Sequence, residues 1–326
     1  MKQSRSTEKR GKAVILLTGV TGFVGNAVLQ RLVAEDTFGR VAVALRRSGA
    51  HWPERVLPYV IGDQTPSTDW TAALQGVSSV IHCAARVHVM TDAATDPLEE
   101  FRRVNVHGTL NLARQASVAG VRRFVFISSI KVNGESTQTG FPFKADDAPA
   151  PEDAYGISKF EAENGLRELA VQSGMEVVII RPPLVYGAGV KANFATMMRW
   201  LRRGVPMPFG AIQNARSLVA LGNLVDLIVT CVRHPAAANQ IFLVSDGEDL
   251  STTQLLRRVA LAMNTTAWLL PVPSSVLKLA TAALGKPDVA RRLFASLQVD
   301  IEKTRHVLSW SPPLSLDQGL KQATEG

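Results

Sequence analysis

The stretch Thr18-Gly19-Val20-Thr21-Gly22-Phe23-Val24-Gly25 follows a short apolar run, Ala13–Leu17, and opens an amphipathic segment, Gly22–Ala34. A buried strand that passes through a glycine turn into a helix is the start of a βαβ unit. Glycines let the turn tighten and let its backbone approach a pyrophosphate, while the helix N-terminus presents free N–H groups and a partial positive charge. The spacing is G-x-x-G-x-x-G preceded by Thr, not the G-x-G-x-x-G of ordinary two-domain dehydrogenases. After an N-terminal strand it predicts a dinucleotide site made by Gly19, Thr21, Gly22, Phe23, Val24 and Gly25.

Outward from this turn, short β-branched runs alternate with longer amphipathic segments, the order expected of helices on both faces of a parallel sheet. Strands are predicted at Ala13–Thr18, Val41–Leu45, Val56–Ile61, Ser79–Cys83, Arg123–Ser128 and Glu176–Arg181, with helices near Gly22–Ala34, Asp69–Leu74, Pro97–Ala119 and Asp153–Gln172. The rhythm breaks at Pro182, Pro183, Gly187 and Gly189. A helix near Asn193–Arg203 follows, then a strand, helix and strand at Ser217–Ala220, Leu224–Arg233 and Gln240–Val244, then helices near Thr252–Met263 and Ser274–Leu284. The fold class read from this is α/β, a doubly wound Rossmann-like parallel sheet with a smaller mixed C-terminal substrate lobe. The dinucleotide-binding domain is expected at 13–184 with a return segment at 217–245, and the substrate-binding lobe at 185–216 and 246–326.

The formal charge of +8 overstates the basicity of the folded body, because Lys2, Arg5, Lys9, Arg10 and Lys12 crowd the first twelve residues against Glu8 alone. Residues 1–12 read as a disordered basic tail, and a nucleic-acid partner is not expected. No uncharged apolar stretch reaches the ~18–20 residues that span a bilayer, so no membrane partner is expected and the chain reads as cytoplasmic. Cys83 and Cys231 stand far apart as free thiols, and the six histidines lack ligand spacing, so no metal site is expected.

At the end of the second strand, where an Asp or Glu would accept from the adenosine ribose of NAD, the chain reads Leu45-Arg46-Arg47-Ser48. Two guanidiniums suit a 2′-phosphate, so NADP(H) is favoured over NAD(H). Asp63, in Gly62-Asp63-Gln64 after the third strand, is placed to accept from the adenine amino group.

Tyr155-Gly156-Ile157-Ser158-Lys159 puts a phenol and an ammonium on one helix face, one turn apart. A cation beside the phenol favours the phenolate and fits proton transfer to or from a substrate oxygen. With the glycine turn, Asn105 and Ser128-Ser129 in order, the chain resembles the extended short-chain dehydrogenases/reductases of the NAD-dependent epimerase/dehydratase family. The likeness runs from about Ala13 to Leu320 and includes Arg181-Pro182, Val185-Tyr186-Gly187 and Leu308-Ser309-Trp310-Ser311-Pro312.

That resemblance implies Tyr155 as acid/base, Lys159 on the nicotinamide ribose and Ser129, with Ser128 beside it, on the reacting oxygen. It adds Gln64, Ala84, Ala85, Asn105 and Pro182 to the cofactor set, and Arg86, Lys131, Asn193 and Arg216 to the nucleotide-sugar set. It also implies a homodimer through Pro97–Ala119 and Asp153–Gln172. Dehydratases of the family carry an acidic pair just after the position of Ser129; here stand Ile130 and Lys131, which disfavours dehydration. Reduction of a UDP-4-keto-6-deoxy-N-acetylhexosamine, as in O-antigen precursor synthesis, is the first expectation, since Ala84-Ala85-Arg86-Val87-His88 and Ser128–Gly134 resemble such reductases. A UDP-hexose 4-epimerase with tightly bound NAD is the alternative, and a non-catalytic dinucleotide sensor the second.

Overall fold

Strand β1 (Val14–Thr18) lies at the centre of a seven-stranded sheet in the order β3-β2-β1-β4-β5-β6-β9. The computed structural model describes residues 14–49, 51–87, 96–190, 193–283 and 293–325. The basic tail, His88 and Leu284 therefore lie outside the described residues. The other strands are β2 (Val41–Leu45), β3 (Val56–Val60), β4 (Val77–His82), β5 (Arg123–Ile127), β6 (Glu176–Arg181) and β9 (Ile241–Leu243). Every pairing in this sheet is parallel. Strands β1, β2 and β5 are almost wholly buried, which explains their continuous apolar runs.

Two cores sandwich the sheet. On one face α1 (Phe23–Ala34) and α6 (Leu221–Arg233) bury Val28, Leu32, Leu224 and Ile228 against β1, β2 and β5. On the other, α3 (Thr109–Val118) and α4 (Ala154–Ser173) bury Leu112, Ala116, Ala162 and Leu166. These helices meet where a Cβ on Gly165 would stand 2.6 Å from a methyl of Leu110. The strand order reverses between β1 and β4, the crevice where doubly wound sheets take ligands.

A second sheet holds β7 (Leu184–Tyr186), β8 (Arg216–Ala220) and β10 (Asp249–Leu250), with β8 parallel to β7 and antiparallel to β10. Strand β8, read from the sequence as part of the return to the first sheet, belongs here; only α6 and β9 go back. Helices α5 (Asn193–Arg202) and α7 (Thr252–Ala262) and the helix Leu316–Glu325 build a third core around Tyr186, Leu201, Leu256 and Leu320. Among the described residues no helix is long and apolar enough to cross a membrane.

Two expected helices differ. Asp69–Leu74 is a hydrogen-bonded turn, with Leu74 N–H on the Trp70 carbonyl at 3.0 Å and Gly76 at φ 71°. Trp70, Ala73 and Leu74 are at most 2% exposed, so their helix-like spacing records burial in a segment too short to propagate. Pro97–Ala119 divides into α2 (Pro97–Phe101), a π-helical stretch (Arg102–Gly108) and α3. Gly108 sits where a Cβ would meet the Gln64 side chain at 2.9 Å.

Candidate active site

The phosphate turn is built by close backbone packing. A Cβ on Gly25 would stand 2.2 Å from the Gly19 carbonyl oxygen, and one on Gly19, at φ 72°, would stand 2.6 Å from the Ala84 nitrogen. The Ala84 N–H in turn donates to Thr18 Oγ1 at 3.3 Å, which ties the turn to the end of β4. Gly22 caps α1 with no side-chain hydrogen bond, and the first turn of α1 carries no acid. Thr21 and Gly22 are exposed, Phe23 and Val24 half-buried. An uncapped, acid-free helix start behind a glycine cradle fits a dinucleotide pyrophosphate. Arg46, Arg47 and Asp63 are exposed beyond β2 and β3.

Lys159 and Tyr155 stand on α4, which Asp153 caps by accepting from the Gly156 N–H at 2.7 Å. The Lys159 ammonium is 4.3 Å from the Phe126 ring centroid and 6.0 Å from that of Tyr155. It donates to the Ile127 carbonyl at 2.8 Å. Burial pulls Lys159 down to about 8, opposed by the charges of Glu163 and Cys83. Burial, and then the Asp153 charge, raises the Tyr155 phenol above its usual value. The expected phenolate is thus not favoured in this arrangement, with the Lys159 charge aimed at a carbonyl.

Several expected side chains are committed elsewhere. Ser128 donates its hydroxyl to Glu163 Oε1 at 2.5 Å, so its one proton is engaged in holding the strand end. Ser129, half-buried, accepts from the Lys131 N–H at 3.3 Å. Asn105 is held by protein groups: its amide accepts from the Arg86 N–H at 2.8 Å and donates to the Arg86 carbonyl and Ser158 Oγ, each at 3.0 Å. It fixes the Ala84-Ala85-Arg86 segment. Gln64 is likewise turned inward, its amide 3.2 Å from the Val104 carbonyl and 3.3 Å from His82 Nε2. The Pro182 carbonyl accepts from the Ile130 N–H at 3.0 Å.

On the far side, Lys131 Nζ meets Asp153 Oδ2 at 2.5 Å and Glu135 Oε1 at 2.9 Å. Burial works against its charge, but these two carboxylates outweigh it and its pKa is raised. Arg216, at the start of β8, donates to the Ala295 carbonyl at 3.4 Å; burial lowers it and Glu135 opposes. Arg86 lies over the Phe101 ring at 5.7 Å. The side chain of Asn193 lies outside the described residues.

Sequence reading missed Glu163, which binds Arg181 in full burial, and His82, whose ring nitrogens meet Thr18 Oγ1 at 2.7 Å and Thr109 Oγ1 at 2.9 Å. Burial lowers His82 to about 3, so it is a neutral brace under the turn. Glu163 was findable: it follows Lys159 by four residues, on the same helix face as Tyr155.

The pattern of the NAD dependent epimerase/dehydratase family matches residues 15–245. The chain belongs to this family. It is an enzyme of the short-chain dehydrogenase/reductase class, 52% identical over 312 residues to a UDP-glucose 4-epimerase of Vibrio cholerae, covering 95% of this chain and 94% of that one. In fold it is similar to the UDP-glucose 4-epimerase of Thermotoga maritima solved with UDP-glucose, at TM-score 0.74 and 23% identity over 96% and 97% of the two chains. It is also similar to the UDP-glucuronic acid 4-epimerase of Bacillus cereus solved with NAD, at TM-score 0.76 and 19% identity over 96% and 97%.

Proposed function

We propose that this enzyme is a UDP-hexose 4-epimerase working with a bound nicotinamide adenine dinucleotide. The observation that carries the reading is the 52% identity with the Vibrio cholerae UDP-glucose 4-epimerase across nearly the full length of both chains. This reverses the order expected from sequence, which put 4-keto reduction first.

Hydride acceptance and return at the sugar C4 is the chemistry that a bound nicotinamide supplies. Tyr155 takes the proton of the 4-hydroxyl and gives it back after the ring has presented its other face. Lys159 sits with its ammonium between the Ile127 carbonyl and the rings of Phe126 and Tyr155, placed to stabilise the phenolate once it moves toward the phenol. Ser129 orients the reacting oxygen. Gly19, Gly22 and Gly25 receive the pyrophosphate, and Arg216 serves the substrate diphosphate. Such a cycle returns the hydride it removes and draws nothing from the NADPH pool, so the case for NADP(H) over NAD(H) rests on Arg46 and Arg47 alone. We also propose a homodimer through α3 and α4, whose ends leave Val118 90% and Val171 88% exposed.

The test is incubation of the purified enzyme with UDP-galactose, following UDP-glucose by its anomeric proton resonance. Interconversion at constant NADPH absorbance is expected. Arg46 and Arg47 favour one second reading, the 4-keto reductase. NADPH oxidation with UDP-4-keto-6-deoxy-N-acetylglucosamine, and no interconversion of UDP-hexoses, would establish it and overturn the epimerase.

A further inference from the structure

The small lobe carries an apolar, cationic surface that the proposed reaction does not use. Trp200 and Val205 are each 42% exposed at the end of α5, and Trp268, Leu270, Val276 and Leu279 are 62, 52, 53 and 73% exposed on the neighbouring segment and α8 (Ser274–Ala283). The two segments lie side by side. The Val205 N–H donates to the Trp200 carbonyl, the Met207 N–H to the Trp268 carbonyl at 2.8 Å, and the Leu270 N–H to the Met207 carbonyl at 2.9 Å. Exposed apolar clusters of this kind mark interaction surfaces.

Charge identifies the partner. Arg199 and Arg203 flank Trp200, both exposed, and neither has a carboxylate partner among the described residues. No Asp or Glu occurs anywhere in residues 177–225 or 250–287. Neither segment carries a carboxylate of its own; Asp317 and Glu325 share a groove with Arg202, and the exposed Arg199 and Arg203 beside Trp200 suit an anionic partner. Two indoles beside arginines and aliphatic side chains are the composition that settles at the boundary of headgroups and acyl chains, where apolar insertion and attraction to anionic lipid act together.

We propose that this face docks the enzyme peripherally on an anionic lipid bilayer, with Trp200, Trp268, Leu270, Val276 and Leu279 entering the headgroup region and Arg199 and Arg203 on lipid phosphates. The sequence expectation of no membrane partner considered spanning segments only. The proposal is independent of the reaction assigned above, because none of these residues belongs to the candidate active site.

The test is cosedimentation of the full chain with sucrose-loaded vesicles of phosphatidylglycerol and phosphatidylethanolamine, against vesicles of phosphatidylcholine alone. Binding to the anionic vesicles is expected, with a blue shift of indole emission and quenching by brominated acyl chains. Arg199→Gln with Arg203→Gln lowers partitioning by about thirtyfold, following the attraction of each cation to an anionic surface. Trp268→Ser with Leu279→Ser lowers it by at least about tenfold. Unchanged circular dichroism confirms folded variants, and quenching of the unsubstituted chain reads insertion without them. Absence of binding, or binding indifferent to both pairs of substitutions, overturns the proposal. So does a dimer in solution that Trp268→Ser dissociates while vesicles bind neither form, which assigns the face to a second copy.

Discussion

The Arg181 guanidinium holds the Glu163 carboxylate through two parallel hydrogen bonds, Nε to Oε1 at 3.0 Å and Nη2 to Oε2 at 2.5 Å, with both side chains only 2% exposed. Arg181 ends β6 and Glu163 lies two turns along α4 from Tyr155, so the pair bolts the helix that carries Tyr155 and Lys159 to the sheet. Each partner has a further hydrogen bond: Ser128 donates to Glu163 Oε1, and Arg181 Nη1 donates to Asn133 Oδ1 at 3.0 Å. Both ends of the Ser128–Asn133 loop, which carries Ser129, are fixed by one buried ion pair.

Removal of one partner leaves the other charge buried and alone. Glu163→Gln is expected to lose about 3–5 kcal/mol of stability in urea unfolding. Arg181→Met with Glu163→Leu should lose less than the sum of the two single changes, because the stranded charge is gone. Additive losses in that double-mutant cycle would show that the pair is not coupled.

The glycine turn offers a graded test. Gly25→Ala puts a Cβ 2.2 Å from the Gly19 carbonyl oxygen, a backbone atom that a side-chain rotation cannot move, whereas Gly22→Ala meets only that same oxygen at 3.1 Å. Gly25→Ala is expected to cost about 1–3 kcal/mol and to weaken dinucleotide binding at least about tenfold by pushing the turn off the helix axis. Gly22→Ala should fold nearly as well as the unsubstituted protein. Calorimetric titration with NAD, beside thermal unfolding, separates the two.

The contrast between what the sequence revealed and what it hid follows from range. The parallel sheet was legible because strands such as β2 and β5 are buried on both faces and must be apolar throughout, and the phosphate turn because only glycine meets its contacts. Hydrogen-bond partners were not legible: Ser128 meets Glu163 thirty-five residues on, and Asn105 meets the Arg86 backbone nineteen residues back. Ser128, Asn105 and Gln64 were therefore read only as ligand contacts, and their hydrogen bonds to Glu163, Arg86 and Val104 went unread. The short strands β7 and β10 and the helix Glu302–Leu308 also escaped, being too brief to declare a period, whereas the helix Leu316–Glu325 was legible, with Leu316, Gly319, Leu320 and Ala323 on one buried face, and was not read.

Arg46 and Arg47 can be tested as a dinucleotide-selecting pair by comparing the two cofactors directly. Both are exposed past β2, and residues 46–53 carry no Asp or Glu. Arg46→Ala with Arg47→Ala is expected to weaken NADP binding by about ten- to a hundredfold, as one or two charge-assisted hydrogen bonds are lost, and to leave NAD binding almost unchanged. Equal loss for both dinucleotides would place these side chains on the shared adenosine instead.

Lys159 makes the stability of the cofactor-free enzyme depend on pH. Its folded value, about 8, lies below the ordinary 10.5, because burial disfavours the ammonium. Below about 8 the ammonium is present in both states and the folded protein bears the full cost of burying it. Between about 8 and 10.5 the unfolded chain binds more protons than the folded one, so this group's contribution to stability rises with pH. The whole rise is about 3 kcal/mol. Lys159→Met removes the titrating group, so its unfolding free energy should lack that rise. The difference between the two proteins in urea unfolding, measured from pH 7 upward, should shift steadily in favour of the unsubstituted enzyme through that window. A constant difference would mean that the ammonium keeps its solution affinity for the proton, and that the carbonyl of Ile127 and the ring of Phe126 replace the water it leaves.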